Sequence, residues 1–207
     1  MTLTRRNALW ATLFTACGSF AARAQQPALV LEGQPFARRT RVAGVELLLN
    51  GVGLRAVAWF KGYAAGLYLT EFARNAGQAL ALPGPKRLQL RLLVSVSAAE
   101  FLKAMNKGIE RNTPAPERAA LAPQVRRFGE QIAAIGKVSR GDVVDLDLEP
   151  GRGLLFSLNG APRGEAIAGA DFYDAVLRSF IGDHPYDNAL KTGLLTPPAG
   201  SAAGRRP

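Results

Sequence analysis

The chain has 207 residues, of which 48% are hydrophobic, and this is enough for one domain with a sizeable core. With a single cysteine, Cys17, it can form neither an internal disulfide nor a metal site built from several thiolates. The formal net charge of +10 is scattered along the chain without a nucleic-acid motif, so we interpret it as favouring solubility and electrostatic steering, not nucleic-acid binding.

Residues 1–24 have the pattern of a secretory signal peptide. A short basic start at residues 1–6 precedes an apolar segment at residues 8–22, and Ala22-Arg23-Ala24 is a small-residue cleavage site. The apolar segment is shorter than the roughly 20 residues that span a bilayer, which argues against the alternative of an uncleaved anchor helix. We therefore expect a periplasmic or secreted protein whose mature chain has no membrane span.

The predicted signal peptide also bears on the export route and on whether the mature chain contains a thiol. Thr4-Arg5-Arg6 is compatible with the twin-arginine route, although paired arginines also occur in ordinary signal peptides. Cleavage after Ala24 would remove Cys17 and with it thiol catalysis, whereas lipoprotein cleavage at Cys17 is the less clean alternative. The mature chain then has a domain at residues 25–196 and a Pro-, Gly- and Ala-rich tail at residues 197–207, which we expect to be disordered.

The first half of the domain has strand signals. Residues 41–49, 54–60 and 63–70 are short apolar segments with valine, leucine and aromatic residues, although their alanines leave a helix open as the alternative. Between them, Asn50-Gly51-Val52-Gly53 predicts a turn, and Lys61-Gly62 predicts a tight turn or a β-bulge.

The middle of the domain predicts one strand and two helices. Residues 86–96 alternate, and one face carries Leu88, Leu90, Leu92 and Val94. Ser97-Ala98-Ala99-Glu100 has the pattern of a capping box, which predicts the start of a helix. A second helix is predicted from about Pro116 towards Ile135, with Pro123 as a break or kink.

The last third predicts two strands and two helices. In residues 142–149 the acidic side chains suggest a metal site, but their alternation with aliphatic residues favours a solvated strand face. Residues 153–158 predict a strand that ends in Asn159-Gly160, a strong hairpin signal, and helices are predicted at residues 171–181 and 187–195. This order predicts an α+β domain, in which helices cover one face of an antiparallel sheet and a cleft lies between the layers.

Arg55 is the residue that stands out chemically. It lies in an apolar strand segment, where we expect too few acidic side chains to neutralise it, and a buried unpaired guanidinium is very costly. A ligand carboxylate, phenolate or carbonyl would satisfy its rigid fork of N–H donors. The alternatives are an edge arginine that faces water and a structural ion pair. His184 is interpreted as a loop histidine, and Gly51-Val52-Gly53 lacks the third glycine of a dinucleotide fingerprint.

Two stretches of the chain resemble the chalcone isomerase superfamily. The first begins at Asn50-Gly51-Val52-Gly53-Leu54-Arg55 and continues to Tyr63-Ala64-Ala65-Gly66-Leu67-Tyr68-Leu69; it is similar to a G-x-G-x-R run that leads into a G-V-Y-L strand. The second, residues 171–195, is similar to the family's closing helix, its I-G turn and the lysine-containing helix that follows. The resemblance implies an open-faced β-sandwich, in which a layer of helices lies over a large antiparallel sheet with the ligand between them.

The resemblance also implies a ligand site centred on an arginine. In the catalytic plant members, an arginine, a threonine, a tyrosine, an asparagine and a second threonine contact the substrate. The corresponding positions here are Arg55, Tyr63, Phe101, Gly108 with Asn106 close by, and Ser179 beside Phe180. Losing the tyrosine and the asparagine removes contacts that orient a substrate, which argues against ring closure. Arginine paired with tyrosine resembles the non-catalytic fatty-acid-binding branch, in which this pair grips a carboxylate.

Three hypotheses follow. The first is an exported protein that binds a small anionic, apolar ligand such as a fatty acid. Its candidate ligand-binding residues are Arg55, Tyr63, Leu67, Phe101, Met105, Ser179 and Phe180. The second is an isomerase or intramolecular lyase acting on a carbonyl compound, with Arg55 as the electrophilic group and Tyr63 as its proton-handling partner. The third is a structural domain with a collapsed cleft and an internal ion pair at Arg55. None of them calls for a metal or a cofactor.

Overall fold

The computed structural model describes residues 27–57 and 60–199. The predicted signal peptide at residues 1–24 and residues 200–207 of the predicted tail lie outside the described residues. The strands are β1 (Leu29–Leu31), β2 (Gln34–Phe36), β3 (Arg39–Val42), β4 (Val45–Val57), β5 (Phe60–Leu69), β6 (Lys86–Leu92), β7 (Val96–Ser97), β8 (Lys137–Val138), β9 (Val143–Glu149), β10 (Gly153–Leu158) and β11 (Ala161–Pro162). The helices are α1 (Ala76–Ala81), α2 (Ala98–Asn112), α3 (Ala115–Ala120), α4 (Ala122–Ala133), α5 (Ala170–Ile181) and α6 (Asn188–Leu194).

Seven strands form one curled antiparallel sheet in the order β11-β10-β9-β6-β5-β4-β3. Strands that follow one another pair as neighbours, except that β6 pairs with β9 after the chain has passed through α2, α3 and α4. The curl brings β3, at one end of the sheet, towards β9. Helices pack against one face of this sheet, which confirms the predicted α+β class and the predicted antiparallel sheet with a helical layer.

The hydrophobic core lies between the sheet and the helices. Alternate residues of the central strands face this side, namely Leu88, Leu90 and Leu92 of β6 and Val144, Leu146 and Leu148 of β9. Eight of the 12 residues of α5 are buried, so this helix is covered on most of its circumference. Because a fully buried leucine, valine or phenylalanine side chain contributes about 1.5–3 kcal/mol, these contacts hold the helical layer in place over the sheet.

The predicted turn at Asn50-Gly51-Val52-Gly53 is wrong, because this segment lies inside β4. A β-bulge at Asn50 shifts the register with β5 between Leu49 and Gly51. The Asn50 side chain is fully buried, and its amide donates hydrogen bonds to the carbonyl oxygens of Ala73 at 3.0 Å and Leu194 at 2.8 Å. A polar residue typical of turns thus serves here as a buried connector between a strand and two neighbouring segments.

The glycines of the same segment give α6 room to approach the strand. A Cβ atom on Gly51 would lie 2.2 Å from the carbonyl oxygen of Gly193, and one on Gly53 would lie 2.5 Å from that of Leu190. In return, a Cβ atom on Gly193 would lie 2.3 Å from the carbonyl oxygen of Val52. These glycines therefore mark a contact between the backbones of β4 and α6, where we had predicted a change of chain direction.

The acidic residues of β9 do not form the predicted solvated face. Asp145 and Asp147 are only 6% and 4% exposed. Two nitrogens of Arg87 donate to the Asp147 carboxylate at 2.7 and 2.6 Å, and a third donates to Thr40 of β3 at 3.0 Å. Burial raises the pKa of Asp147 above its ordinary value even though Arg87 opposes the shift. The curl of the sheet encloses this ionic cluster, which an alternating pattern by itself cannot distinguish from a wet surface.

No group of three or more metal-ligating side chains occurs among residues 27–57 and 60–199. Over the same residues, no helix is long and apolar enough to cross a membrane.

The predicted elements with strong local signals agree with the structure. Helix α2 begins at the capping box, where Ser97 Oγ accepts a hydrogen bond from Glu100 N at 3.2 Å and Ser97 N donates to Glu100 Oε2 at 3.1 Å. The predicted second helix is divided into α3 and α4, and β10 turns into β11 at Asn159-Gly160. Strand β6 ends at Leu92, so Val94 is not part of its face, and α1 has no counterpart among the predicted elements.

Candidate functional site: an arginine, two tyrosines and an aspartate

Arg55 and Tyr63 lie side by side on the helix-facing side of the sheet. They are directly opposite each other in the antiparallel pairing of β4 with β5, and opposed residues direct their side chains to the same face. Tyr63 packs against the core on the helix side, so Arg55 belongs to that side too. The register shifts next to this pair, between Arg55 and Ala56, which confirms a bulge where Lys61-Gly62 had suggested a turn or a bulge.

Arg55 is less enclosed than we expected, and it has an acidic neighbour. Its side chain is 28% exposed, and its Nη1 lies 3.5 Å from Oδ2 of Asp187. The same nitrogen donates to the carbonyl oxygen of Ala56 at 3.4 Å. Both contacts are at the outer limit of hydrogen-bond distance. We had expected too few acidic side chains to neutralise Arg55, with a structural ion pair as the alternative, and Asp187 reaches Arg55 from the far end of the chain.

Much of the hydrogen-bonding capacity of Arg55 is unused among the described residues. A guanidinium has five N–H donors, and within residues 27–57 and 60–199 only Nη1 has a partner. The remaining donors of Nε and Nη2 form the edge that can hold two oxygens of one carboxylate. Arg55 therefore has a weak ion pair with Asp187 and still has donors for a second acceptor.

Tyr63 places a protonated hydroxyl next to this guanidinium. Burial, reinforced by Tyr186 and Asp187 and opposed by Arg55, raises the pKa of Tyr63 well above its ordinary value. Its ring centroid lies 6.5 Å from that of Phe180 on α5. Within the described part of the chain its hydroxyl has no hydrogen-bond partner, so it remains a donor for a further acceptor.

Asp187 connects Arg55 to the first turn of α6. It is the N-cap of that helix, and its Oδ1 accepts hydrogen bonds from the backbone N–H groups of Ala189 at 2.7 Å and Leu190 at 3.1 Å. Its Oδ2 accepts from the N–H of Ala56 at 3.4 Å. Burial acts to raise the pKa of Asp187, but these backbone donors together with Arg55 outweigh it and hold the pKa below its ordinary value. The carboxylate is therefore ionised at neutral pH.

Tyr186 occupies the space that a side chain at position 108 would take. Its ring meets that of Phe180 edge to face, with centroids 5.0 Å apart, and its hydroxyl donates to the carbonyl oxygen of Ala104 at 3.2 Å. A Cβ atom on Gly108 would lie 2.4 Å from the Tyr186 hydroxyl oxygen. Burial raises the pKa of Tyr186 to about 12, and a hydrogen bond with Ser179 and the charge of Arg55 oppose the shift. The missing side chain at position 108 is thus replaced by an aromatic ring from another segment.

Tyr186 and Asp187 belong to a short connection, residues 182–187, which we call the strap. The strap is held at its start and in its middle. Lys191 Nζ donates to the carbonyl oxygen of Gly182 at 2.8 Å, and the Asn112 side chain accepts from the N–H of His184 at 2.9 Å and donates to its carbonyl oxygen at 2.8 Å. A surface groove of about 660 Å³ borders the strap and is lined by residues of α1, α2, α3 and α5, and Arg55 does not line it.

The other predicted ligand-binding residues fall into two groups. Phe180 contacts Tyr63 and Tyr186, and Ser179 lies beside Gly108, although its hydroxyl donates to the carbonyl of Ala175 in its own helix at 3.4 Å. Leu67 and Met105 are buried in the core on the same side of the sheet, and Phe101 packs against that core. Leu67 lies about 13 Å along the strand from Tyr63, since each residue of a strand advances the chain by about 3.3 Å.

Tyr186 and Asp187 were missing from the predicted site. The only signal in the sequence was the predicted helix start at residue 187, which is typical of an N-cap aspartate but says nothing about Arg55.

Comparison with known proteins agrees with this architecture. A crystal structure of a fatty-acid binding protein from Arabidopsis thaliana has a similar fold, with a TM-score of 0.61 over 81% of this chain and 95% of that chain, at 16% sequence identity. No curated protein matches the sequence. A family model described as chalcone isomerase-like matches residues 28–196. This match spans nearly the whole domain and confirms the resemblance inferred from the two motif stretches, so the chain belongs to the chalcone isomerase-like family.

Proposed function

We propose that the protein binds a small apolar ligand with an anionic head group, such as a fatty acid, and that Arg55 and Tyr63 hold that head group. The observation that carries the proposal is the pair itself. Two donors lie side by side on the helix-facing side of the sheet, and each has unused hydrogen-bonding capacity among the described residues. The similarity to a fatty-acid binding protein supports ligand binding by this fold.

The two donors suit a carboxylate for physical reasons. Guanidinium donates parallel N–H bonds that match two carboxylate oxygens, and hydrogen bonds to a charged group are about twice as strong as neutral ones. The raised pKa of Tyr63 keeps its proton in place, so its hydroxyl donates to the same anion. Candidate walls for the apolar part are Leu67, Phe101, Met105 and Phe180, with Ser179 beside the Tyr186 hydroxyl. The ligand tail would lie against Phe180.

The same geometry favours binding over turnover. A general base works best when its pKa lies near the working pH, and burial raises the pKa of Tyr63 further above neutral pH. Position 108, which the resemblance matches to the family's asparagine, has no side chain, and the Tyr186 hydroxyl that fills this space donates a hydrogen bond to the carbonyl oxygen of Ala104. These features speak against the isomerase hypothesis.

Titration of the full chain with decanoate at pH 7.5, followed by calorimetry, tests the proposal. We expect Arg55→Met to weaken binding by about 10- to 100-fold, since a hydrogen bond to a charged group is worth about 1.5–3 kcal/mol. Tyr63→Phe should weaken it by about three- to tenfold. Arg126→Met, which removes an exposed arginine from α4, is the charge-matched control and should leave affinity unchanged. Absence of decanoate binding by the unmodified protein, or equal affinity in Arg55→Met, would reject the proposal.

A further inference from the structure

We propose that Asp187 determines ligand selectivity at this site: it competes with a ligand carboxylate for Arg55 and so shifts preference towards neutral hydrogen-bond acceptors. This inference rests on the proposed function, because it assumes that ligands bind at Arg55 and Tyr63. It assigns a role in specificity to Asp187, a residue of the strap that was not among the predicted site residues.

The position of Asp187 supports this role. Its carboxylate lies 3.5 Å from Arg55 Nη1 and accepts a bond from the backbone of β4 at Ala56. Its side chain is only 16% exposed, and its lowered pKa means that it is charged when a ligand arrives. The protein thus supplies its own carboxylate at the head-group end of the site.

A count of charges shows the consequence. The charged groups that act on Tyr63 are one cation, Arg55, and one anion, Asp187. A ligand carboxylate brings a second anion, which must either share the guanidinium with Asp187 or displace it, and like charges placed together oppose binding. A neutral carbonyl can accept from the free donors of Arg55 and from the Tyr63 hydroxyl without that repulsion. The ion pair therefore weakens the binding of anions more than the binding of amides, ketones or esters of the same length.

The structural role of Asp187 can be separated from its charge. Asparagine is as good an N-cap as aspartate, and its side-chain oxygen can accept the same bonds from Ala189 and Leu190. Asp187→Asn therefore removes the negative charge and retains the start of α6. Asp183 provides a matched control, because it is an exposed aspartate of the same strap for which the structure gives no contact with Arg55.

The experiment compares decanoate with decanamide, which have the same chain length and differ in the charge of the head group. Both are titrated into the full chain, into Asp187→Asn and into Asp183→Asn at pH 7.5. We expect Asp187→Asn to bind decanoate roughly tenfold more tightly, because a competing like charge is removed, while its affinity for decanamide changes less than about twofold. Asp183→Asn should resemble the unmodified protein for both ligands.

Each other outcome has a defined meaning. If Asp187→Asn strengthens the binding of both ligands equally, Asp187 acts through strap mobility and the selectivity role is rejected. If Asp183→Asn gives the same gain in decanoate affinity, the effect is one of general charge and the role is rejected as well. Unchanged affinities for both ligands in Asp187→Asn also reject it, while the binding function stands. If none of the three proteins binds either ligand, the proposed function itself fails. Thermal unfolding shows whether the fold is retained. Asp183→Asn should match the unmodified protein, and Asp187→Asn should unfold in one cooperative transition at a slightly lower temperature, because its amide nitrogen cannot accept from Arg55 or from the N–H of Ala56.

Discussion

Gly108 and Tyr186 show how single residues reshape this site. A Cβ atom at position 108 would meet both the Tyr186 hydroxyl oxygen, at 2.4 Å, and the Cβ of Ser179, at 2.6 Å. The Tyr186 ring then packs on Phe180 and its hydroxyl reaches the backbone of α2. The absence of a side chain on one helix is therefore matched by a large side chain on the strap, and both residues must be considered together.

The close contact at Gly108 predicts a stability change of unusual sign. Replacing glycine by alanine inside a helix usually stabilises it by about 0.8–1 kcal/mol. We expect Gly108→Ala instead to destabilise the protein by about 1–3 kcal/mol, because the added methyl group overpacks against Tyr186 and Ser179. The measurement is urea unfolding followed by circular dichroism.

Gly129→Ala in α4 is the matched control, since a Cβ atom there would have no neighbour within 4 Å. It should be neutral or stabilising by up to about 1 kcal/mol. Equal stabilisation by both alanine variants would contradict the packing assigned to Tyr186.

At this scale, the sequence could identify Arg55 and Tyr63 but not their environment. Arg55 is unusual within an apolar strand, and strand pairing brings Tyr63 beside it. Asp187 contacts this strand across a separation of 131 positions, between Asp187 and Ala56, and no local pattern encodes a contact of that range. The acidic neighbour of Arg55 was therefore missed, and the role of Arg55 in binding stays a prediction.

The contact between β4 and α6 organises the site at the level of elements. Gly51, Gly53 and Gly193 let the two backbones approach so closely that any side chain at these positions would collide with a carbonyl group. Arg55 follows on the strand, and Asp187 caps the helix. The spacing of Arg55 and Asp187 is thus fixed by backbone packing more than by their own weak attraction.

We expect Gly53→Ala to destabilise the protein by about 3 kcal/mol, because its methyl group would lie 2.5 Å from the carbonyl oxygen of Leu190, and backbone moves less easily than side chains. Gly62→Ala in β5 is the control: the nearest atom to its Cβ would be 3.6 Å away, and its effect should stay within about 0.5 kcal/mol. Thermal unfolding checks both. A loss of stability in Gly62→Ala as large as that in Gly53→Ala would show that the pairing of β4 with β5, not the contact with α6, is sensitive to an added methyl group.

Elements with a local chemical signal were predicted well, and elements defined by tertiary contacts were not. The capping box at Ser97 and the hairpin at Asn159-Gly160 act over a few residues and were located correctly. Asn50-Gly51-Val52-Gly53 has turn composition but serves as a surface for α6. Likewise, the alternating acidic side chains of β9 could face solvent or pair with an arginine inside the fold. The curl of the sheet places them beside Arg87, and a local pattern cannot show this.

At the scale of the whole molecule, the two faces of the sheet carry different sets of side chains. The helix-facing side carries the core and the candidate site. The opposite side carries a smaller apolar cluster around Phe36 and Tyr68, together with the ion pair of Arg87 and Asp147. Arg87 is satisfied within the fold, whereas Arg91 on the same side lies 5.3 Å from the centroid of the Phe36 ring and has a buried Nε without a hydrogen-bond partner among the described residues. On the helix-facing side, Arg55 is the arginine that lies opposite Tyr63.

We also propose that the chain is exported and cleaved between Ala24 and Gln25, on the basis of the basic, apolar and small-residue pattern of residues 1–24. Expression of the full chain in a Gram-negative host, followed by intact-mass measurement of the periplasmic fraction, should give a protein that begins at Gln25. Ala24→Leu should reduce processing at this site. Recovery of the uncleaved chain from the cytoplasm, or of a lipid-modified chain beginning at Cys17, would contradict the proposal.

The open ends of the sheet have a consequence for association between molecules. Exposed edge strands can recruit strands of other chains and so begin aggregation. Here β11 has only two residues and includes Pro162, which cannot donate a backbone hydrogen bond, and β3 has four residues with Arg39 and Arg41 exposed. A short edge with a proline and an edge with exposed charged side chains, among them the ion pair of Arg39 and Glu46, both discourage pairing with strands of other chains.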